Sequence, residues 1–472
     1  MRKFLFLGFL LFAASCISEA GAQGKGIDSR VLPNGLTVLI KPTESSGLAS
    51  VYIKIACGQS SDTRHAGSGI THFIEHMIFK GTPESESGDL AKKIKALGGY
   101  VNANTGFDAT TYFAVCPAAH IEECIELLGA AVMDPAFRPE DVEKERAVIL
   151  NELRMREDRP ETKLTHALFE TAYLIHPYKY PIIGYEDLFK RISREELIAF
   201  YKRFYAPNNM VVSVAGGVDV EKIADCVAGV FGKYEMAPDP ALAVPAEPEQ
   251  ISGRVSKRYE DVNVGYFAMG FHTVGVMNKD LFALDILSNV LGQGDGSRLN
   301  RSLVKGEKVL YSIGSYNYTP RYPGLFVVSA AGDKDMLEKG VSGVWDVIER
   351  VKREGILPEE FEKAKAGTLM AYYSAIESTA STAGIMAEDQ MFTGDPDFSR
   401  KYVKELEKVT SEDVVLAAKN YITRENCSVV YLLPKAAAPA APAGESETHA
   451  AGQAGPELVT LHNGMRLVLI NR

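Results

Sequence analysis

His72-Phe73-Ile74-Glu75-His76 sets two histidines at i and i+4 with an acid just before the second. On a helix the two imidazoles lie on one face, close enough to share a metal ion. At about 100° per residue, Glu75 falls on that same side, while Phe73, Ile74, Met77 and Ile78 gather on the other. One side can pack on a core while the opposite side concentrates titratable groups. An ordinary solvated helix face would carry lysines and mixed polar residues instead, which argues against two idle surface histidines.

Two histidines do not complete a zinc site. A third protein ligand is needed, with a fourth position left for water. The stretch 140–153, entered through Pro139, reads as a helix and carries Glu140, Glu143, Glu145 and Glu152. Glu145 and Glu152 are two turns apart, nearly superimposed around the axis, between Val148 on one side and Val142 and Ile149 on the other. Carboxylates inside an apolar stripe are costly unless paired or bound to a cation. Glu145 and Glu152 are therefore the candidates for ligand and supporting acid.

Outward from these motifs the chain divides. Segment 237–250 is rich in Pro and Ala, and segment 434–455 is longer, of lower complexity, and expected to be disordered. They separate a metal-bearing unit at 26–236 from a second, metal-free unit at 251–433. Strands are expected at 37–41, 50–56, 110–115 and 210–215, and helices at 90–97, 121–133, 140–157 and 194–205. The second unit repeats the style, with strands at 264–271 and 428–433 and helices at 279–291, 335–354 and 358–375. This pattern predicts an α+β fold of two similar domains, each a mainly antiparallel sheet packed with helices. The tail is unexpected. Leu461-His462-Asn463-Gly464-Met465-Arg466-Leu467-Val468-Leu469 echoes the Asn-Gly turn and apolar strand of 32–40. Segment 456–472 therefore reads as the first strand of a truncated second copy of the whole unit.

Composition bounds the function. With 472 residues and 46% hydrophobic content, the chain can build two cores. A net charge of −10 and a single Trp argue against a nucleic-acid partner. Arg2 and Lys3 precede a short apolar run at 4–14, too short to span a bilayer, so residues 1–22 read as a signal peptide for export, with the periplasm the expected compartment. Cleavage after Ala20-Gly21-Ala22 would release a soluble protein, whereas Ala13-Ala14-Ser15-Cys16 is a weak lipobox that would make Cys16 a membrane anchor. No later segment is apolar and long enough to cross a membrane. The six cysteines show no C-x-x-C spacing and read as buried free thiols.

Together these residues resemble the pitrilysin/insulinase family of zinc metallopeptidases, especially the branch of the mitochondrial processing peptidase and its bacterial relatives. The inverted H-x-x-E-H motif matches at His72, Glu75 and His76; the family's downstream ligand matches Glu152, and its supporting acid matches Glu145. Gly99-Tyr100-Val101-Asn102-Ala103-Asn104-Thr105 matches the segment that in the family forms the sheet edge beside the metal. His176-Pro177-Tyr178 and Pro181-Ile182-Ile183-Gly184 also match, and the resemblance covers about 28–433. It implies one zinc ion per chain on His72, His76 and Glu152, a metal-activated water, and Glu75 as general base. It also implies a peptide substrate extended along the strand of Asn102 and Ala103, paired through backbone groups.

One departure matters. In the family an Arg and a Tyr seven residues apart in a second-type domain complete the site. Here Tyr311 is present as a candidate substrate-binding residue, but Val304 stands seven before it, and Arg298 and Arg301 are out of register. The leading expectation is a zinc-dependent endopeptidase acting on peptides or unfolded segments. The alternatives are a non-catalytic assembly subunit of the same fold, or a half-enzyme active only with a homologous second unit or as a homodimer. The glycine-rich stretch 292–297 lacks the Lys of a phosphate-binding loop and reads as a turn. His65, His120, His166 and His272 are isolated and read as structural or exposed.

Overall fold

The computed structural model describes residues 26–43, 47–61, 63–240, 244–376, 378–435 and two short strands in the tail. The expected signal peptide with Cys16, and all but the first residues of the expected linker 434–455, lie outside the described residues.

Strands β1 (Asp28–Val31), β2 (Thr37–Pro42), β3 (Leu48–Ile55), β4 (Tyr100–Thr105), β5 (Thr110–Pro117) and β6 (Met210–Gly216) form one sheet in the order β1-β2-β6-β3-β5-β4. Strands β7 (Arg254–Glu260), β8 (Gly265–His272), β9 (Ser312–Tyr318), β10 (Leu325–Gly332) and β11 (Cys427–Pro434) form a second, in the order β7-β11-β8-β10-β9. With β1 set aside the two sheets have one topology. The first strand runs parallel to the last, and every other pairing is antiparallel. The fold is thus α+β, in two similar halves.

Each sheet has two covered faces. Helices α1 (Ile70–Ile78), α2 (Asp89–Ala96), α3 (Ile121–Met133) and α4 (Pro139–Glu157), with Arg194–Phe204 and Val220–Phe231, bury one face of the first sheet. Leu281–Gly292, Leu337–Glu354 and Ser411–Tyr421 do the same for the second. The opposite faces are covered by exchange. Helix α5 (Pro160–Ala172) sets Leu164, Leu168 and Phe169 against Ala268, Val327, Val430 and Leu432 of the second sheet. Helix Thr379–Thr393 returns the arrangement, setting Ala383, Met386 and Ala387 on Leu39, Val211 and Ala215 of the first. This explains why β6, Met-Val-Val-Ser-Val-Ala-Gly, is buried at every position: it is central and covered on both sides. Truncating Leu168, 1% exposed at this seam, would cost about 2–5 kcal/mol.

The segment 237–250 is partly anchored: Glu247 accepts the backbone N–H groups of Leu174, Ile175 and His176. In the tail, β12 (Glu457–Thr460) pairs antiparallel with β13 (Arg466–Leu469), Glu457 opposite Leu469 and Thr460 opposite Arg466. The opening hairpin pairs Asp28 with Ile40 and Val31 with Thr37, across a connection of the same length. The echo therefore extends to the preceding strand, and the tail is a hairpin where one strand was expected. The five described cysteines are free, Cys226 alone of them being more than slightly accessible. Among the described residues no helix is long and apolar enough to cross a membrane.

Candidate metal centre and active site

α1 starts at Gly69, in the left-handed region at φ 78°, with no side-chain cap. A Cβ there would lie 2.1 Å from the Ile183 carbonyl oxygen, so only glycine lets the two segments meet. Pro181-Ile182-Ile183-Gly184 thus braces the first turn of the motif helix, which accounts for this segment's place beside the motif. Phe73, Ile74, Met77 and Ile78 are fully buried and fix the helix on the sheet. The other side is left holding His72, Glu75 and His76.

α4 runs past that side. Glu152 Oε1 lies 3.9 Å from His72 Nε2, and its Oε2 lies 3.5 Å from His76 Nε2. Ligand atoms of His72, His76 and Glu152 all fall within 4.8 Å of one another, the one such group among the described residues. Glu145 occupies a different place. It is buried, bonded at 2.7 Å to His76 Nδ1 and at 2.5 Å to Lys80 Nζ. The two acids of one stripe therefore meet opposite edges of one imidazole.

The electrostatics sort the groups. Burial, with the neighbouring His76, brings His72 down to about 4, so its ring is neutral. Burial also works against a charge on His76, but hydrogen bonds to Glu145 and Glu152 outweigh it and raise the ring to about 9. The bond to His76 holds Glu152 ionised, down to about 2, against its partial burial. Burial also opposes ionisation of Glu145, yet His76 and Lys80 keep its carboxyl below the usual range. Glu75 goes the other way. Burial pushes its carboxyl up, partly offset by the Thr105 hydroxyl, which donates to Oε2 at 2.5 Å. Two imidazoles and one ionised carboxylate, converging with a second acid outside the triangle, suit a zinc ion with an open position. His72 Nδ1 is buried with no hydrogen-bond partner, so nothing competes for that ring except what its Nε2 faces.

Asn102 and Ala103 lie on β4, which ends the first sheet. Ala103 N–H is bonded to the side-chain oxygen of Asn102 at 2.9 Å, not to a neighbouring strand. Tyr311 is exposed and donates its hydroxyl to Asp333 at 2.5 Å. Arg298 and Arg301 both pair with Glu360, and Val304 lies in the π-helical turn Asn300–Gly306, packed against the second core. No contact of the His72–His76–Glu152 group involves Tyr311. Sequence reasoning missed Thr105, Lys80 and Arg156, whose Nε bonds Glu152 at 2.8 Å. Lys80 and Arg156 stand four residues after His76 and Glu152, the spacing of helical ion pairs, and that signal was available. Thr105 reaches Glu75 only through the tertiary fold.

Comparison with known proteins identifies relatives of the chain as a whole. The family model described as Insulinase (Peptidase family M16) matches residues 37–186, and that described as Peptidase M16 inactive domain matches 191–368. The chain is 28% identical over 413 residues to the zinc protease PqqE of Helicobacter pylori, covering 86% of this chain and 93% of that protein. It is 26% identical over 392 residues to YmxG of Bacillus subtilis, an uncharacterized zinc protease, covering 83% and 95%. Among solved structures, a protease from Helicobacter pylori superposes with a TM-score of 0.82 at 28% identity, over 87% of this chain and all of that one. A peptidase M16 inactive domain from Pseudomonas fluorescens shares the fold at 18% identity, with a TM-score of 0.80 over 87% of this chain and 98% of that one. A motif helix, a downstream acid helix and a doubled sheet topology thus come with two adjoining family matches that together span most of the chain: it belongs to the insulinase (M16) family of peptidases.

Proposed function

We propose that this chain is the metal-bearing unit of a zinc-dependent endopeptidase that cleaves extended peptides and needs a second unit of the same fold for full turnover. The observation that carries the reading is the convergence of His72, His76 and Glu152 beside an unligated Glu75 tied to the edge strand. These three residues would hold the zinc, and a zinc ion there supplies Lewis acidity to water and to the scissile carbonyl. Glu75 accepts the water's proton and delivers it to the leaving amine; burial moves its pKa towards the pH at which it must do both. Thr105 holds the Glu75 carboxylate to β4, so a peptide paired with that strand passes the base.

Val304 replaces the arginine of the family's Arg–Tyr pair, Tyr311 is bonded to Asp333, and Arg298 and Arg301 are held by Glu360. None of these residues is then free to stabilise a developing oxyanion. The basic start and short apolar run at the N-terminus favour an exported protein.

The test is zinc content with turnover of a quenched peptide. The chain should bind about one zinc, and His76→Ala and Glu152→Gln should lose it. Glu75→Gln should keep the metal and lose turnover. Adding a homologous unit that carries the Arg–Tyr pair should raise turnover by orders of magnitude. Full turnover by the chain alone would refute the dependence on a second unit, and retention of zinc by His76→Ala would refute the site.

A further inference from the structure

We propose that the peptides taken up along β4 carry aromatic or large aliphatic side chains at alternate positions, read by a shelf of Tyr100, Phe113 and Tyr52. The inference rests on the peptidase reading above and names its substrate class.

Directly paired residues on neighbouring strands share a face of the sheet. Ile53, Tyr112 and Ala103 are paired in a row, and Ile53 and Tyr112 belong to the core that includes α1. Tyr52, Phe113 and Asn102 form the adjacent row, so their side chains emerge on the opposite face. Tyr100 shares that face, two residues before Asn102. There the Tyr52 and Phe113 rings stack at 4.8 Å and 7°, and Tyr100 meets Phe113 edge-on at 6.2 Å and 89°. Gly384, on Thr379–Thr393, closes the back: a Cβ on it would lie 2.9 Å from the Tyr52 ring. The front is open, with Tyr100 55% exposed and Asn102 and Asn104 also exposed.

The open backbone sits beside this shelf. Gly106 N–H bonds the Ala109 carbonyl at the β4–β5 turn. Antiparallel pairing alternates, so Asn104, Asn102 and Tyr100 bond to β5, and the backbone groups of Thr105, Ala103 and Val101 point outward. The Ala103 N–H agrees, being held only by the side chain of its own neighbour, Asn102. A peptide carbonyl would replace that side chain. The peptide's side chains would then alternate between the α1 side, where Glu75 is bonded to Thr105, and the aromatic side.

Charge favours an apolar occupant. Tyr100, Asn102 and Asn104 are uncharged, and the cation further along this face, Lys54, is already paired with Glu388 at 2.8 Å. Among the described residues of this face an acidic side chain would find no free cation, whereas an aromatic one would complete an edge-to-face cluster.

The test uses the full chain, zinc-loaded and carrying Glu75→Gln to prevent cleavage, with fluorescein-labelled extended peptides read by anisotropy. A peptide with Phe at alternate positions should bind about tenfold tighter than its Ala counterpart. Tyr100→Ala should bring that ratio to within about twofold, and Tyr100→Phe should keep the preference. Tyr100 is exposed, so its truncation spares the core. An undiminished Phe preference in Tyr100→Ala, or equal binding of both peptides to the parent, overturns the shelf while peptide recognition stands. No binding of any peptide by the zinc-loaded chain overturns the shelf and the peptidase reading together.

Discussion

Glu145→Gln removes one negative charge while keeping the shape of the side chain, and its consequences can be worked from the contacts. The carboxylate lies 2.7 Å from His76 Nδ1, with its side chain 6% exposed, so the bond is desolvated and weakly screened. A carboxylate behind a metal-binding imidazole is typically worth about 10–100-fold in metal affinity, or about 1.4–2.8 kcal/mol. Two features reduce the loss. Lys80 already draws on the same carboxylate, and a glutamine carbonyl can still accept one bond. A further effect opposes it near neutral pH. In the metal-free protein His76 keeps its proton up to about 9, and zinc must displace that proton. That competition would weaken any zinc binding at pH values below about 9. The substitution lowers the His76 pKa, so part of that penalty disappears with the bond. Zinc affinity by competition with a chromogenic chelator should therefore fall by about 10–100-fold at pH 9 and by less at pH 7. Glu143→Gln, an exposed partner of Arg146, should change neither value. Equal zinc affinity of Glu145→Gln and the parent at pH 9 would show that Glu145 does not support His76.

Two further outcomes follow from particular contacts. Gly69→Ala must accommodate both a positive φ and a Cβ 2.1 Å from the Ile183 oxygen, whereas Gly88→Ala, at φ 82° with open space around it, faces only the first. Thermal unfolding should show Gly69→Ala to be less stable than Gly88→Ala by about 1–3 kcal/mol, with weakened zinc binding; equal costs would mean that the Ile183 contact does not matter. Asp285 is half-buried and accepts hydrogen bonds from Tyr402 and Asn317, yet desolvation pushes its carboxyl up to about 6. A folded pKa above the unfolded value contributes stability that is present below pH 4 and lost as pH rises through about 6. Urea unfolding should show the parent losing about 2 kcal/mol relative to Asp285→Asn between pH 4 and pH 7, and a pH-independent difference would refute the raised-carboxyl account.

Much of the site was legible because it is written in local periodicity. The separation of His72, Glu75 and His76 from Phe73, Ile74, Met77 and Ile78 survives unchanged in α1. The stripe of Glu145 and Glu152 in α4 is likewise a property of one helix. Strands with apolar runs, such as 50–56 and 210–215, fall within two residues of β3 and β6. Strand β9, Ser-Ile-Gly-Ser-Tyr-Asn-Tyr, went unread because it has few apolar residues, being an edge strand whose positions are partly exposed.

Periodicity states which side of an element is apolar, and not what that side will meet. The sequence by itself determined the candidate set of His72, Glu75, His76 and the two acids Glu145 and Glu152, the α+β fold class, and the echo of the opening strand in the tail, since each is read from the pattern of residues along the chain. Only the tertiary structure decided that Glu152 faces both Nε2 atoms while Glu145 takes Nδ1, because the two acids are equivalent along α4 and differ only in how that helix crosses α1. It likewise decided that Thr105 holds Glu75, and that α5 and Thr379–Thr393 exchange sheets. Those contacts join residues far apart in the chain, and the shape that brings them together is set by the packing of the whole core.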